Sequence, residues 1–349
     1  MRRHYRSVRI HLAALTLLAQ GLAPGSVAAQ QAKTFDFGQV SGTVGVREWF
    51  TTGYNEWSFD GPVKLLASSP AARLNVLSDL RWRGVDSVVT EFYAELFVGR
   101  LGVLGSLGFG AIDEGVLIDD DFTRSNREGR FSHTRSSVKD DGLFRWNLDL
   151  AFRAVRWERP LLGDKAESAG YVDVLVGYQY WHEKYVAFGA TGFTCATVTV
   201  GTNDCASFAA STAAPSLKVI TQDYTWHMPR LGVRAQLPIW GPLTGKAGVI
   251  GSPLVWYEME DVHHLRTDLK HNPSFSSRSE NGWGLELQGA VTYTLWKGLT
   301  LEAGYRYARI DSGQGNKFTH GTTSSKTMAT LNNSTFERYG PHIGVSAVW

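Results

Sequence analysis

Two short polar segments carry the residue types that hydrolytic chemistry requires. Residues 119–121 read Asp-Asp-Asp and residues 261–264 read Asp-Val-His-His, and each lies where a strand-like stretch runs out into polar sequence. A carboxylate can orient a histidine and balance its charge, and a further acidic group can hold or activate an attacking water. Asp-x-Asp opposite Asp-x-His is therefore sufficient for hydrolysis, provided that the fold brings the two segments together.

The stretches that must position these segments alternate like β-strands. Large apolar side chains alternate with charged ones along residues 143–155, and residues 283–295 and 299–307 repeat the pattern. Charge on the inner face and apolar groups on the outer face are typical of a membrane barrel, whereas a soluble β-sandwich has the opposite arrangement. The charged side chains that the pattern directs inward are Arg145, Asp149, Arg153, Glu286, Glu302 and Arg306.

The composition agrees with this interpretation. The chain contains 12 Trp, 13 Tyr, 17 Phe and 37 Gly, which suits aromatic girdles around a polar lumen. After residue 30, the sequence contains no uninterrupted apolar stretch of about 18 residues, the length that a membrane-spanning helix requires. We therefore predict an all-β fold in which strands cross the membrane.

The lengths of the connections predict the topology. Bacterial barrels have short periplasmic turns and long outer loops, and an even number of strands leaves both termini on the periplasmic side. Long polar connections are predicted at 50–72, 118–142, 190–217, 261–280 and 312–335. We predict a ten-stranded antiparallel transmembrane β-barrel with these long extracellular loops. Its strands are 36–49, 73–99, 103–117, 143–157, 171–189, 218–238, 244–260, 281–296, 299–311 and 336–349.

Strand counting also predicts where the two polar segments lie. The first follows the third strand and the second follows the seventh, so they are nearly opposite in a ring of ten. Continuing the regular alternation from below, however, would turn both segments towards the lipid. We therefore expect a bulge or a twist in each strand, at Gly105, Gly108, Gly110 or Gly115 in one and at residues 251–253 in the other, because bulges are common beside active sites.

The N-terminus predicts export to the bacterial envelope. Four arginines precede an apolar run at 12–22 and the small residues of 23–29, which is the pattern of a cleaved signal peptide. We place the signal peptide at 1–29 and the barrel at 30–349, in the outer membrane of a Gram-negative bacterium. Cleavage removes four arginines and turns the formal charge of +2 into about −2. Nucleic-acid binding is therefore not expected.

Cys195 and Cys205 are the two cysteines of the chain, and both lie in the third predicted outer loop. In an exported protein such a pair most plausibly forms a local disulfide. A metal site is the weaker alternative, because the interval between them contains no histidine and the chain has no second cysteine pair. We predict a disulfide and no metal.

Several segments have the motifs, the order and the spacing of a known family. Residues 118–122 are similar to its Val-Asp-Gln-Asp-Trp, and residues 261–263 to its Asp-x-His. Further similar segments are 41–48, 77–83, 177–179 (Gly-Tyr-Gln) and 228–229 (Met-Pro). In these features the chain resembles the omptins, which are ten-stranded outer-membrane proteases whose barrel projects beyond the membrane. The resemblance covers nearly all of the predicted mature chain.

The resemblance implies an aspartic-type endopeptidase at the extracellular mouth of the barrel. In omptins a His–Asp dyad faces an Asp–Asp pair, and a water held between them attacks the peptide carbonyl without a covalent intermediate. Residue by residue, it implies that His263 is the general base and that Asp261 orients it. Asp119 and Asp121 then bind and polarise the water.

The resemblance also implies contacts with substrate and lipid. Glu48 matches an acidic position of the omptin substrate pocket, whereas the acidic position two before Asp261 is Met259 here, so cleavage beside basic residues does not carry over. Glu183 and Lys184 match part of a lipopolysaccharide site on the outer surface. We therefore expect polypeptide substrates at the cell surface and lipopolysaccharide as a partner that activity requires, with no other cofactor.

A non-enzymatic barrel on the same scaffold is the alternative function. Such a protein acts as an adhesin, as a structural protein or as a small channel. A ten-stranded lumen filled with inward charges is narrow, which weakens the channel interpretation.

Overall fold

The computed structural model describes residues 40–64, 73–139, 141–163, 168–198, 205–296, 298–323 and 326–349. The predicted signal peptide at 1–29 and the start of the predicted first strand at 36–39 lie outside the described residues. Among the described residues, no helix is long and apolar enough to cross a membrane.

The described strands form one antiparallel sheet that closes on itself, because β1 pairs with both β2 and β12. The strands are β1 (Val40–Lys64), β2 (Arg73–Val98), β3 (Leu101–Phe122), β4 (Arg130–Val138), β5 (Asp141–Trp157), β6 (Gly170–Val198), β7 (Cys205–Trp240), β8 (Leu243–His263), β9 (Phe275–Trp296), β10 (Leu299–Asp311), β11 (Gly315–His320) and β12 (Lys326–Val348).

These elements occupy ten positions around the ring. Strands β4 and β5 both pair with β3 and β6, so they are two parts of one interrupted strand. Strands β10 and β11 share the next interrupted position, between β9 and β12. The predicted ten-stranded antiparallel barrel is confirmed.

The predicted long loops are wrong in extent, because strands continue through most of them. Strand β1 runs on to Lys64, β6 runs on to Val198 and β7 begins at Cys205. These extensions form the distal half of the barrel, which we define as the half opposite the end where β12 finishes. Large aromatic side chains on these extensions point into the barrel and pack against one another there. The polar residues between them are the reason why the sequence of these segments resembles that of loops.

The lumen contains two layers of different chemistry. In the proximal half, Arg145 and Arg306 are almost fully buried and form ion pairs with Glu91, as predicted for inward charges. In the distal half a cluster of buried aromatic residues fills the interior, including Trp57 and Trp82. Among the described residues, carboxylates hold the buried cations of the proximal half and aromatic rings fill the interior of the distal half.

The outer surface of the proximal half carries an apolar band. Leu101, Leu150 and Val291 are 67%, 60% and 47% exposed, and they lie on strands whose opposite face holds the ion pairs. A lipid environment favours strands whose outer face carries apolar side chains and whose inner face carries charged ones. The predicted inward and outward faces of these strands are therefore correct.

Two irregularities reverse the facing of side chains in the distal half. In β2 the register with β3 shifts between Arg83 and Ser87, and Gly84 there has φ of +54°, a left-handed conformation that favours glycine. In β3 the even-numbered Ile112 is buried in the lumen below the irregularity, whereas the odd-numbered Leu117 is buried there above it. Asp119 and Asp121, which share the face of Leu117, lie within electrostatic range of Asp261 and His263 on β8. The expected irregularity in this strand is present, and of the four glycines at which it was expected only Gly115 lies there, since pairing is regular at Gly105, Gly108 and Gly110.

The second irregularity lies in β8. Its register with β9 shifts between Ser252 and Val255, next to Pro253, which cannot donate a backbone hydrogen bond. Ile250 and Ser252 point inward below the shift, whereas Val255, Tyr257 and Met259 point inward above it. This change directs the side chain of Asp261 into the barrel.

Candidate active site

Asp261 and His263 form a dyad at the end of β8. Asp261 is fully buried, and its Oδ1 lies 3.2 Å from Nε2 of His263, whose side chain is 16% exposed. Although close, these two atoms do not meet hydrogen-bond geometry, and neither has another hydrogen-bond partner among the described residues. The imidazole is therefore held beside a carboxylate, with its Nε2 buried on the side that faces Asp261.

The second carboxylate oxygen of Asp261 is fixed from the neighbouring strand. Gln222 of β7 is fully buried, and its side-chain amide donates a 2.6 Å hydrogen bond to Oδ2 of Asp261. The carbonyl oxygen of Gln222 accepts a hydrogen bond of 2.5 Å from Nε1 of Trp82. Trp82 belongs to β2, so a chain of buried polar contacts crosses the lumen to the dyad.

The backbone of the dyad is held by Ser274, which is fully buried. Its amide donates a 2.7 Å hydrogen bond to the carbonyl of Asp261, and its hydroxyl accepts one of 3.0 Å from the amide of His263. The ring of Phe275 packs edge-on against the imidazole, with 4.9 Å between ring centroids. These contacts restrict the rotation of His263 and make the dyad rigid.

The three aspartates of β3 divide between the two faces of the sheet. Asp119 and Asp121 share one face of β3 with Leu117, and Asp121 lies beside Ser78 of β2 in register. Asp120 points to the other face, where Arg81 pairs with it and Nδ1 of His133 lies 2.7 Å from its Oδ1. The sequence motif is thus a carboxylate pair inside and a separate ion-pair cluster outside.

Electrostatic interactions connect the carboxylate pair with the dyad. The pKa of Asp119 is raised well above its usual value, first by burial and then by the charges of Asp121 and Asp261. Burial also raises the pKa of Asp121, while a hydrogen bond from Ser78 and the charge of His263 act in the opposite direction. Carboxylates that are buried side by side retain protons at higher pH than exposed ones. The barrel therefore brings together all four residues predicted to perform catalysis.

Arg266, in the connection after β8, supplies a nearby positive charge. It is anchored by Asp268 through two contacts of 2.7 Å, and its charge lowers the pKa of both Asp119 and Asp121. Among the described residues no group of three or more His, Cys, Asp or Glu side chains is arranged to hold a metal ion. The carboxylates and the imidazole of this site are groups that can transfer protons to and from a water.

A family model identifies the chain. The model for Pom, the Protochlamydia outer membrane protein, matches residues 49–348. The chain belongs to the Pom family. No curated protein sequence matches it.

Several solved structures are similar in fold to this Pom-family protein. Outer membrane protease OmpT from Escherichia coli has a TM-score of 0.66 at 11% identity, over 88% of this chain and 97% of OmpT. The translocator domain of autotransporter NalP from Neisseria meningitidis has a TM-score of 0.30 at 10% identity, over 98% of this chain and 95% of that one. The toluene transporter TbuX from Ralstonia pickettii has 0.29 at 11% identity, over 88% and 89%.

The family and the fold together establish the cellular location. The likeness to OmpT is one of fold at this low identity, and the other two TM-scores carry no argument about this chain. Membership of Pom and the closed barrel with its apolar outer band make the protein a bacterial outer-membrane β-barrel in a lipid environment.

Glu48, predicted to line the substrate pocket, lies far from the candidate site. Glu48 accepts hydrogen bonds of 2.9 and 3.0 Å from Oγ1 of Thr90, on the face of β1 opposite Arg47, which pairs with Glu91 inside the lumen. Strand pairing puts Asp119 level with Leu80 of β2, and Leu80 level with Trp57 of β1. Glu48 is nine residues before Trp57 on β1, so it is nine residues away from the level of the site. At the rise of an extended strand that distance is about 30 Å.

Of the two residues predicted to contact lipid, Glu183 and Lys184, the prediction for Glu183 is wrong. Glu183 is fully buried inside the Pom barrel, where Nη2 of Arg338 lies 2.6 Å from its Oε2 and Trp181 donates a 2.9 Å hydrogen bond to it. It cannot contact lipid. Lys184 follows on the outer face of β6, beside Asp223 in register, so the position of Lys184 remains compatible with a lipid contact.

The predicted disulfide between Cys195 and Cys205 is present, with a Cα–Cα distance of 5.6 Å. It joins the distal ends of β6 and β7 across residues 199–204, which lie outside the described residues.

Sequence reasoning missed the residues that support the site, namely Gln222, Ser274, Arg266 and Lys317. Gln222 and Ser274 have no motif, and their roles depend on strand pairing that the sequence does not display. Lys317 is the most informative omission, because a lysine at an inward position of β11 is almost completely buried. Its alternation with Thr319 and Gly315 was the available signal, but residues 312–335 were interpreted as a loop.

Proposed function

We propose that this Pom-family barrel is an endopeptidase of the cell surface that hydrolyses peptide bonds with an activated water, as the omptins do. The observation that carries the proposal is the contact of 3.2 Å between Asp261 and His263, with the half-buried carboxylates of Asp119 and Asp121 within electrostatic range of this dyad. Four side chains of the required types converge from strands far apart in the sequence.

The proposed reaction has one water as the nucleophile. The water lies between His263 and the carboxylate pair, and it attacks the peptide carbonyl while His263 accepts its proton. The charge of Asp261 stabilises the imidazolium that forms. Asp119 and Asp121 hold the water, and a proton retained by the pair can be donated to the carbonyl oxygen as negative charge develops there. The imidazolium then protonates the amine nitrogen, the C–N bond breaks, and the hydroxyl formed from the carbonyl oxygen returns its proton to the carboxylate pair.

The environment of the reaction belongs to the same proposal. We propose that residues 1–29 are removed on export and that the distal half faces the exterior, where polypeptides are available as substrates. We also propose that lipopolysaccharide on the outer surface is required for activity, with Lys184 in contact with it. Full activity of protein refolded in detergent free of lipopolysaccharide would contradict that requirement.

The buried ion pairs weigh against a channel. Arg145 and Arg306 occupy the lumen together with Glu91 and Glu286, so a solute would have to displace charges that stabilise one another. Purified protein in a planar bilayer should give no discrete conductance steps. An adhesin without catalysis then remains as the competing function.

Cleavage of an unbiased peptide library by refolded protein with lipopolysaccharide tests the activity. We expect His263→Ala and Asp119→Ala to abolish cleavage, whereas His264→Ala should retain it. His264 is a matched control because it is adjacent in sequence but contacts Oγ1 of Thr221, at 2.8 Å. Heat-dependent gel mobility verifies folding of each variant. A folded wild type that cuts no peptide, or variants that cut as well as wild type, would refute the proposal in favour of an adhesin.

A further inference from the structure

Lys317 is a buried lysine next to the candidate active site. Its side chain is 2% exposed and projects inward from β11. Strand pairing places it beside Ser277 of β9, which pairs in turn with Met259 of β8. Lys317, Ser277 and Met259 therefore form one row of inward side chains, and the next row above contains Asp261 and Phe275.

Aromatic rings enclose the ammonium group. Its Nζ lies 3.8 Å from the ring centroid of Phe59 on β1 and 3.9 Å from that of Phe275 on β9. Because Phe59 and Phe275 lie on different sides of β11 in the ring of strands, the lysine reaches into the lumen between them. Cation–π contacts stabilise a charge in this setting, but they do not satisfy its hydrogen bonds.

The ammonium has no ion-pair partner within the part of the chain that the structure describes. Nζ donates a 2.7 Å hydrogen bond to Oγ1 of Thr319, and among the described residues no carboxylate forms an ion pair with Lys317. Buried charges in proteins are normally paired, because an ammonium that is removed from water without compensation is costly. Burial lowers the pKa of Lys317 to about 7, while the charges of Asp261 and Asp121 oppose that change.

The lysine is close enough to the dyad to contact the same substrate. Phe275 packs against Lys317 on one side and against the imidazole of His263 on the other, at 4.9 Å between ring centroids. A single aromatic ring thus separates the unpaired cation from the candidate general base. Met259, in the same row as Lys317, is apolar and offers no acidic partner to a basic substrate.

We propose that Lys317 is a specificity-determining residue that pairs with a carboxylate of the substrate beside the scissile bond. This inference rests on the proposed peptidase function, and it names the class of substrate, which is an anionic peptide. The carboxylate belongs either to an Asp or Glu side chain or to the C-terminus of the peptide. In either case it supplies an ion-pair partner that the described residues do not provide.

Binding to a catalytically inactive variant tests the inference without requiring cleavage. His263→Ala is titrated with four fluorescent peptides of one sequence: an internal Glu, its Gln counterpart, and a free or an amidated C-terminus. We expect the carboxylate-bearing member of one pair to bind about 10–100-fold more tightly than its neutral counterpart, the range expected for hydrogen bonds to a charged group. The pair that differs identifies the source of the carboxylate.

Variants of the lysine then assign the effect. Lys317→Met and Lys317→Gln in the His263→Ala background should remove the preference, and Lys326→Met should preserve it. Lys326 is the control because it is exposed on β12 and its Nζ lies over the ring of Phe318. Equal binding of both members of both pairs to folded His263→Ala overturns the inference, as does a preference that survives both substitutions of Lys317.

The outcomes separate this inference from the proposed function. If anionic peptides bind through Lys317 but wild type does not cut them, the carboxylate site stands and the peptidase fails. If wild type cuts peptides through His263 without any effect of carboxylates on binding, the peptidase stands and the role of Lys317 fails.

Discussion

The side-chain amide of Gln222 donates a 2.6 Å hydrogen bond to Asp261, whose other carboxylate oxygen lies against the imidazole of His263. A residue on β7 therefore sets the orientation of the dyad on β8, although it has no part in the chemistry itself. Gln222 is a positioning residue, and its removal should affect the rate more than substrate binding.

We predict that Gln222→Met lowers kcat of the proposed cleavage by up to about 100-fold with little change in KM, because a dyad carboxylate that rotates freely misplaces the base. Kinetics with one cleavable peptide measure the effect. Gln236→Met is the matched control, since Gln236 lies on the same strand and donates its hydrogen bond to the carbonyl of Ala169, far from the dyad. Equal losses in both variants would contradict the positioning role.

Asp119 should reduce the stability of the barrel at neutral and alkaline pH. Its pKa in the folded state is raised above the ordinary value of 3.8, so the folded state binds the proton more tightly than the unfolded state. Stability is therefore retained below the unfolded pKa and is lost as the pH rises through the folded pKa.

We predict that Asp119→Asn is more stable than wild type at pH 8, by on the order of 1 kcal/mol or more, and that the difference disappears near pH 3.5. Urea unfolding in detergent, followed by tryptophan fluorescence, measures the difference. Asp113→Asn, at an exposed position of the same strand, should show no such dependence on pH. A constant difference at both pH values would refute the electrostatic explanation.

Glu91 holds the proximal ion-pair layer together. Arg306 and Arg47 contact it at 3.0 and 2.5 Å, and Arg145 lies 3.8 Å away. We predict that Glu91→Ala lowers the free energy of unfolding by about 3–5 kcal/mol, because it leaves buried guanidinium groups without their carboxylate. Urea unfolding measures the loss. Glu128→Ala, which removes an exposed pair with Arg124, should cause no measurable change.

The disulfide should stabilise the distal hairpin of β6 and β7. Closing a loop of about ten residues removes conformational entropy from the unfolded chain, which corresponds to roughly 2–3 kcal/mol. We predict a loss of this size for the double variant Cys195→Ser and Cys205→Ser in urea unfolding. The same urea midpoint for wild type with and without reductant would contradict it.

Some features follow from short-range patterns and were predictable from the chain alone. The inward direction of Arg145, Glu286 and Arg306 came from alternation along single strands, which is a local property of an extended backbone. The ten-strand count followed from the spacing of turns. The loop at 312–335 was interpreted wrongly because β11 is short and polar, and its inward residues find their partners on distant strands.

The faces of the distal residues show most clearly where sequence reasoning ends. The resemblance to omptins predicted Glu183 as a lipid contact, yet its side chain lies inside against Arg338. The site carboxylates, by contrast, face inward as the predicted irregularities require. In both cases one residue of register decides the face, because side chains alternate with a period of two.

The sequence by itself determined that this chain forms a barrel of ten antiparallel strands with charge inside, and it contained the four residues of the candidate site. Only the tertiary structure decided that Asp119 and Asp121 face the dyad, that Gln222 fixes Asp261 and that Lys317 lies unpaired beside them. The physical reason is that alternation is written into each strand, whereas bulges, register and contacts across the lumen depend on the closure of the whole ring.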